Sequence, residues 1–196
     1  MMETKREDYI DIAKGFCMLV VICIHTELFH NIGFNWTNFA VPMFFFMSGF
    51  FDKNNLTFAA FIKKYAITLI VPSVIWVILG RIFFGLLAIL NGEEPGWFSF
   101  DPYNPVYGNG PAWFLLALFY VKIIQWICCH CFSSRYLMYM EILMSCILGY
   151  IGINHQMPMQ IDEAFAALPF YVSGKYLYPY LRKMIYNSSF GFRMSS

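Results

Sequence analysis

The residues best suited to chemistry are Lys14 and His25, eleven positions apart in the apolar run IDIAKGFCMLVVICIH. At about 100° and about 1.5 Å per residue, a helix returns them to within about 20° of one face, about 16 Å apart along its axis. Titratable groups inside a membrane are costly and mark cavities or reaction paths, and an imidazole can act as acid or base near neutral pH. The spacing therefore predicts a functional pair, although a histidine that only hydrogen-bonds a neighbouring helix would show the same pattern.

Further ionisable residues lie within the apolar runs, among them Arg81, Lys122, Glu141 and Lys175. Glu141 and Lys175 stand near the ends of their runs, where a long side chain can extend to the membrane interface. Arg81 and Lys122 stand deeper, and an unpaired charge at the bilayer centre costs at least about 2.5 kcal/mol. Each deep cation needs a cavity, a carboxylate or a bound anion, so both are candidate anion-binding residues.

The composition indicates which kind of fold must position these residues. Of 196 residues, 59% are apolar, 20% aromatic and 13% charged, which is typical of a polytopic membrane protein rather than a soluble domain. The sequence has no basic stripe of the kind that binds nucleic acid. The cysteines are interpreted as free thiols, because the adjacent ligands of the CCHC run at 128–131 do not match the spacing of zinc sites.

The predicted fold is an all-α transmembrane helix bundle, since the apolar runs are continuous and lack the alternation of a β-barrel. Each run approaches the about 20 residues that cross a bilayer. The six predicted spans are 12–29, 34–51, 65–90, 113–131, 137–153 and 164–181. They form one membrane domain over residues 1–186, followed by a polar tail at 187–196.

The distribution of cations predicts the orientation of the spans. All nine lysines and arginines outside the spans lie before span one, between two and three, between four and five, or after six: Lys5, Arg6, Lys53, Lys63, Lys64, Arg135, Arg182, Lys183 and Arg193. The other connections, 30–33, 91–112 and 154–163, contain neither residue type. By the positive-inside rule both termini are cytoplasmic, so Lys14 lies toward the cytoplasm and His25 toward the outside.

Four ordered motifs resemble the acyltransferase family 3 integral-membrane O-acyltransferases, in particular the branch that includes fucose 4-O-acetylase-like proteins and the enterobacterial common antigen O-acetyltransferase. The motifs are RxxYIDIAKGFxxLxVxxxH at 6–25, VPMFFFMSGFF at 41–51, FIKK leading to LIVP at 61–72, and GPAWFLLALFY at 110–120. In that family a basic residue, ten intervening residues and a histidine mark the first helix. Lys14 and His25 match this pattern.

The resemblance implies transfer of an acyl group, usually acetyl from acetyl-CoA, to a hydroxyl of an extracytoplasmic sugar or polysaccharide. It implies a bacterial inner-membrane enzyme with no tightly bound cofactor and no metal. His25 would deprotonate the acceptor or relay the acyl group, and Lys14 would hold or position the donor. The other substrate-binding candidates are four cations and one aromatic residue: Arg81, Lys122, Lys63, Lys64 and Trp113.

The chain also departs from the family pattern. Tyr65 and Thr68 replace a paired basic motif that is expected before Pro72. The family fold has about ten membrane helices of spanning length, so six spans correspond to its N-terminal part, and the chain is expected to be truncated. Two other hypotheses remain open: a small transporter or channel subunit whose buried cations line a path, and a non-catalytic membrane fragment.

Overall fold

The backbone is helical throughout most of its length. The computed structural model describes residues 12–13, 15–17, 19–20, 37–51, 56–95, 102–103, 112–132 and 136–194. Within these ranges the chain forms helices and turns, and no strand is present among them. The predicted all-α fold class is therefore confirmed.

In the described ranges, six longer α-helices follow the short helical stretches at 12–13, 15–17 and 19–20. They are α1 Thr37–Gly49, α2 Phe58–Tyr65, α3 Val71–Leu90, α4 Ala112–Cys131, α5 Leu137–Asn154 and α6 Ile161–Met194. A π-helical segment, Ala66–Ile70, joins α2 to α3, and a 3₁₀ turn, Pro158–Gln160, precedes α6.

Three helical runs among the described residues are long and apolar enough to cross a membrane: Phe58–Leu90, Trp113–Cys131 and Leu137–Asn154. They coincide with the third, fourth and fifth predicted spans, although the third starts at Phe58 instead of residue 65. The apolar part of α1, Phe39–Gly49, is shorter, and α6 continues beyond the predicted sixth span to Met194. The helices thus indicate membrane embedding, while the count of six spans and the orientation stay predictions.

The run Phe58–Leu90 changes its hydrogen-bonding pattern just before Pro72. The Val71 N–H donates to the Ala66 carbonyl, five residues back instead of four. Proline has no N–H and its ring crowds the carbonyl four residues earlier, so an irregular turn is the expected accommodation. The irregularity therefore lies in the turn that precedes Pro72.

The surface of α3 is largely apolar and exposed, as a lipid-facing helix requires. Its exposed large side chains are Val71, Val74, Ile75, Trp76, Ile78, Leu79, Ile82, Phe83, Phe84, Leu86, Leu87, Ile89 and Leu90. Exposing such side chains to water is costly, whereas lipid tails are equally apolar. Only Ser73 and Gly85 of this helix are buried.

The chain divides into two compact units, Met1–Asp52 with Phe170–Ser196, and Lys53–Pro169. In the second unit α4 contacts α3, the π segment, α5 and the 3₁₀ turn. Its buried residues are Ala117, Leu118, Val121, Lys122, Gln125 and Cys128. They recur every three or four positions and so form one stripe, which makes α4 the central helix of this unit.

Glycines allow helices to approach closely in both units. In the second unit, a Cβ added at Gly152 of α5 would lie 2.8 Å from the backbone nitrogen of Ala166 in α6. In the first unit, a Cβ at Gly174 of α6 would lie 2.8 Å from the carbonyl carbon of Phe46 in α1. Both distances are shorter than a side chain tolerates, so these contacts depend on glycine.

Candidate functional site

The candidate site residues fall into two groups. Lys14 and His25 lie outside the described residues, so their assignment as a functional pair stays a prediction. The described candidates all belong to the second unit: Lys63, Lys64, Arg81, Trp113 and Lys122.

Lys122 lies in the buried stripe of α4 and is only 6% exposed. Its Nζ is 5.4 Å from the centroid of the Tyr65 ring, at the end of α2. An ammonium group within about 6 Å of an aromatic centroid is attracted by the negative face of the ring. The deep cation thus points into the protein, where the face of an aromatic ring attracts it.

Lys63 and Lys64 occupy the last turn of α2, inside a helix rather than in a connecting segment. Both side chains are exposed. The Nζ of Lys64 lies 5.3 Å from the centroid of Tyr65. Two ammonium groups, one exposed and one buried, therefore lie beside the same ring.

A row of polar side chains extends from Lys122 along α4 and across to α5. Lys122, Gln125 and Cys129 are spaced by three and four residues and so share a helix face. The Cys129 thiol donates to Oε1 of Glu141 on α5 at 3.3 Å, and Glu141 is only 1% exposed. Ser145, one turn further along α5, is also buried. We call these five residues the buried polar cluster.

The order of the helices explains why this cluster forms. Helix α4 ends at Cys131, α5 begins at Leu137, and the two helices are in contact. Helices joined by so short a connection pack antiparallel. The C-terminal half of α4 and the N-terminal half of α5 carry the polar residues, so these residues meet at the same end of the helix pair.

Trp126 holds the start of α2 against this end of α4. Its indole Nε1–H donates to the Leu56 carbonyl at 3.1 Å. Its ring centroid lies 4.9 Å from that of Phe58 and 6.0 Å from that of Phe61, and 3.9 Å from the stacked ring of His130. Because Phe61 is fully buried, this aromatic contact fixes the position of α2.

Arg81 and Trp113 lie away from the cluster. Arg81 is half-buried in α3, more than about 20 Å along the helical run from Tyr65. Trp113 is half-buried at the start of α4, next to the ring of Phe114, about 14 Å along that helix from Lys122. The structure therefore brings Lys64 and Lys122 together and leaves the other two candidates apart from them.

The end of α5 that lies far from Glu141 leads to an acidic segment. Asp162 and Glu163 occupy the first turn of α6. Desolvation, together with the adjacent Asp162 carboxylate, raises the pKa of Glu163. The preceding turn has two non-glycine residues with positive φ, Met159 and Gln160, and the Met159 N–H donates to the Pro102 carbonyl at 2.7 Å. This end thus differs in charge from the end that holds Lys64.

Three residues of the site were missed or misjudged from the sequence. Tyr65 stood out only as a departure from a motif, and Gln125 was not singled out. Glu141 was assigned to the membrane interface, yet it is buried. The spacing of Lys122, Gln125 and Cys129 was the available signal, because it places them on one helix face.

Within the described part of the chain, no group of three His, Cys, Asp or Glu side chains could hold a metal ion.

Apolar helices of spanning length, with a cation and a carboxylate buried among them, define an integral membrane protein that has a polar site inside its helices. The acyltransferase domain family matches residues 7–185. The chain therefore belongs to acyltransferase family 3 and is a membrane acyltransferase, which uses an acyl donor and an acceptor. No curated protein and no solved structure matches the chain.

Proposed function

We propose that this protein transfers an acyl group, in the first instance acetyl, from acyl-CoA to a hydroxyl of an extracytoplasmic sugar or polysaccharide. It would do so in the bacterial inner membrane, as a member of the branch of fucose 4-O-acetylase-like and enterobacterial common antigen O-acetyltransferase-like proteins. The observation that carries this proposal is the match of the acyltransferase domain over residues 7–185.

The placement of positive charge supports a phosphorylated donor on the cytoplasmic side. Lys63 and Lys64 are exposed at the end of α2, and Lys122 is buried close to Lys64. Ammonium groups attract phosphate and form charge-assisted hydrogen bonds with it. With six spans and both termini in the cytoplasm, this end of α2 faces the cytoplasm, where acyl-CoA is available.

The reaction needs one base and a path for one proton. His25 accepts the proton of the acceptor hydroxyl as its oxygen bonds to the thioester carbonyl carbon. The carbon–sulfur bond then breaks, and the CoA thiolate leaves and takes up a proton. Lys14 holds the donor, while Arg81 and Trp113 belong to the substrate-binding residues. Neither a metal nor a tightly bound cofactor is part of this proposal.

The test is acetyl transfer in membranes that contain the protein, with radiolabelled acetyl-CoA as donor and sugar or polysaccharide acceptors. Replacing His25 with Ala is expected to lower kcat by about 10²- to 10⁴-fold, since that is the usual contribution of a general base. The matched control is His155→Ala, because His155 is exposed after the end of α5. Equal rates for His25→Ala and the unmodified protein would contradict the role of His25. Solute flux through reconstituted vesicles, without acyl-CoA, would favour a transporter.

A further inference from the structure

Two aromatic rings lie face to face at the C-terminal end of α4, and the proposed function gives them no role. The His130 ring stacks on the Trp126 ring, with centroids 3.9 Å apart and an interplanar angle of 20°. The two residues are four positions apart in one helix, so their side chains lie one above the other. His130 is exposed, whereas Trp126 is half-buried. Since Trp126 covers one face of the imidazole, the exposed area belongs to its other face and its edge.

Hydrogen bonds to backbone carbonyls hold both rings in place. The Trp126 Nε1–H donates to the Leu56 carbonyl at 3.1 Å, just before α2. The His130 Nδ1 lies 2.8 Å from the Trp126 carbonyl, and because a carbonyl oxygen can only accept, Nδ1 carries the hydrogen. The Phe58 ring also packs on Trp126, with centroids 4.9 Å apart. We call Trp126 and His130 the aromatic platform.

The shape of the aromatic platform indicates what it can bind. A flat ring with one exposed face and a fixed orientation binds a second flat ring by stacking, as nucleobases do on His, Trp, Tyr and Phe side chains. A platform already in place loses little conformational entropy when the base arrives. A free phosphate or a saturated acyl chain has no flat face, so a nucleobase is the chemical group that matches this surface.

The position of the platform fits the nucleotide end of acyl-CoA. Phe58, which packs on Trp126, is the first residue of α2, and the exposed Lys63 and Lys64 follow about 8 to 9 Å further along that helix. The platform thus lies against one end of α2, and ammonium groups that attract phosphate lie at the other. By the predicted orientation, the C-terminal end of α4 faces the cytoplasm, where acyl-CoA is available.

We propose that the exposed face of His130 is the stacking surface for the adenine of acyl-CoA, with Trp126 holding the imidazole in place. The inference rests on the proposed function, in which acyl-CoA is the donor, and it concerns the nucleotide end of that donor rather than the thioester. His130 contacts only the base and takes no part in the transfer. Its loss therefore weakens donor binding without slowing the chemical step.

The kinetic test compares His130→Ala, which removes the ring, with His130→Phe, which keeps a flat ring. We expect His130→Ala to raise KM for acetyl-CoA by about 5- to 100-fold, the usual effect of losing one base–aromatic stack, with kcat unchanged. His130→Phe should stay within about three-fold of the unmodified protein, because a phenyl ring also stacks on a base. His155→Ala is the matched control, since His155 is also exposed, beyond the end of α5.

The choice of donor makes this test specific. The acetyl thioester of phosphopantetheine carries the same reacting group and a phosphate but no adenine, so its KM should not change in His130→Ala. An equal rise in KM for both donors would overturn the inference, because it would show a general defect. An equal effect of His130→Phe and His130→Ala would also overturn it, since the imidazole nitrogens rather than a flat ring would then matter.

Binding of radiolabelled CoA to the purified protein separates this inference from the proposed function. In nanodiscs of zwitterionic lipid we expect Kd for CoA to rise about 5- to 100-fold in His130→Ala, while unchanged binding of radiolabelled phosphopantetheine shows that the variant is folded. Such a rise without any acyl transfer would support the stacking site while the proposed function fails. An unchanged Kd for CoA in His130→Ala would overturn the stacking site, even where acyl transfer that depends on His25 upholds the proposed function.

Discussion

At the scale of residues, burial depends on the helix face that a side chain occupies rather than on its position along an apolar run. Glu141 and Lys175 both stand near the end of a run and both were assigned to the interface. Glu141 is 1% exposed, whereas Lys175 is half-buried and its Nζ lies 5.5 Å from the ring of Tyr176. The face that meets a neighbouring helix is a tertiary property, so the sequence alone did not distinguish these two residues.

Lys122 shows the opposite outcome, because its depth in the run was sufficient to predict a special environment for its side chain. A cation in the middle of a span needs a specific environment, and the structure supplies the Tyr65 ring. Tyr65 stands where the family resemblance leads one to expect a basic residue. The Lys122 ammonium group of α4 therefore lies beside Tyr65, an uncharged residue of α2. Matching motifs along the sequence does not reveal this contact between two helices.

The buried carboxylate leads to a prediction about stability. Replacing Glu141 with Leu should lower the free energy of unfolding by about 1–3 kcal/mol, because groups that bond to the carboxylate, among them the Cys129 thiol, lose a buried partner. Glu141→Gln retains a carbonyl acceptor and should lose less. The measurement is unfolding in detergent followed by tryptophan fluorescence.

The control for this prediction is Glu93→Leu, since Glu93 is exposed beyond the end of α3. It should leave the unfolding midpoint unchanged. If Glu141→Leu unfolds at the same midpoint as Glu93→Leu, the carboxylate does not stabilise the contact between α4 and α5.

At the scale of elements, the sequence predicted the central helices well and the ends of others poorly. The bounds of α4 and α5 agree with the fourth and fifth predicted spans to within one residue, because turn-forming and polar residues bound both runs. The helical run Phe58–Leu90 starts seven residues before the predicted third span, 65–90, because it includes α2, which is amphipathic. It buries Phe61 and exposes Lys63 and Lys64, a pattern that a search for continuous apolar residues does not detect.

Close helix packing was partly foreseeable from small residues. Small residues allow helices to approach closely, and an added Cβ at Gly49 would lie 2.8 Å from the Lys175 backbone nitrogen. The Ser48 hydroxyl instead donates to the Phe44 carbonyl within α1, at 2.8 Å. Identifying the partner of each glycine required the structure, since a glycine in a sequence does not show which helix it meets.

A prediction at this scale concerns Gly174. Changing it to Ala places a Cβ against the backbone of Phe46, and a backbone cannot move aside as a side chain can. We expect a loss of about 1–3 kcal/mol of stability, the usual cost of overpacking, measured as a lower unfolding midpoint in detergent.

Gly15 offers a matched control within the same unit, because nothing lies within 4 Å of a Cβ added there. Gly15→Ala should leave the midpoint unchanged or raise it, since Ala in a helix interior is favoured over Gly by about 0.5–1 kcal/mol. A Gly174→Ala protein as stable as Gly15→Ala would show that α1 and α6 do not pack through this glycine.

At the scale of the whole molecule, composition and charge segregation gave the class of protein, and motif order gave the family. Both are properties summed over many residues, so errors at single helix ends do not change them. The match over residues 7–185 agrees with four ordered motifs that extend from Arg6 to Tyr120. The orientation rests on a similar sum, the absence of Lys and Arg from three connections.

The orientation predicts which ends of the helices can be reached from outside the cell. Helix α3 should end outside, near Glu93, and α4 should end inside, near Cys131, and both residues are exposed. A protein whose only cysteine is Glu93→Cys should react with a membrane-impermeant maleimide in intact cells. A protein that keeps only Cys131 should react after the membrane is permeabilised, because the bilayer excludes the charged reagent. Reaction of both proteins in intact cells would contradict the antiparallel crossing of α3 and α4. Reaction of Cys131 alone would invert the orientation and place Lys64 on the side of the membrane opposite to the proposed cytoplasmic donor.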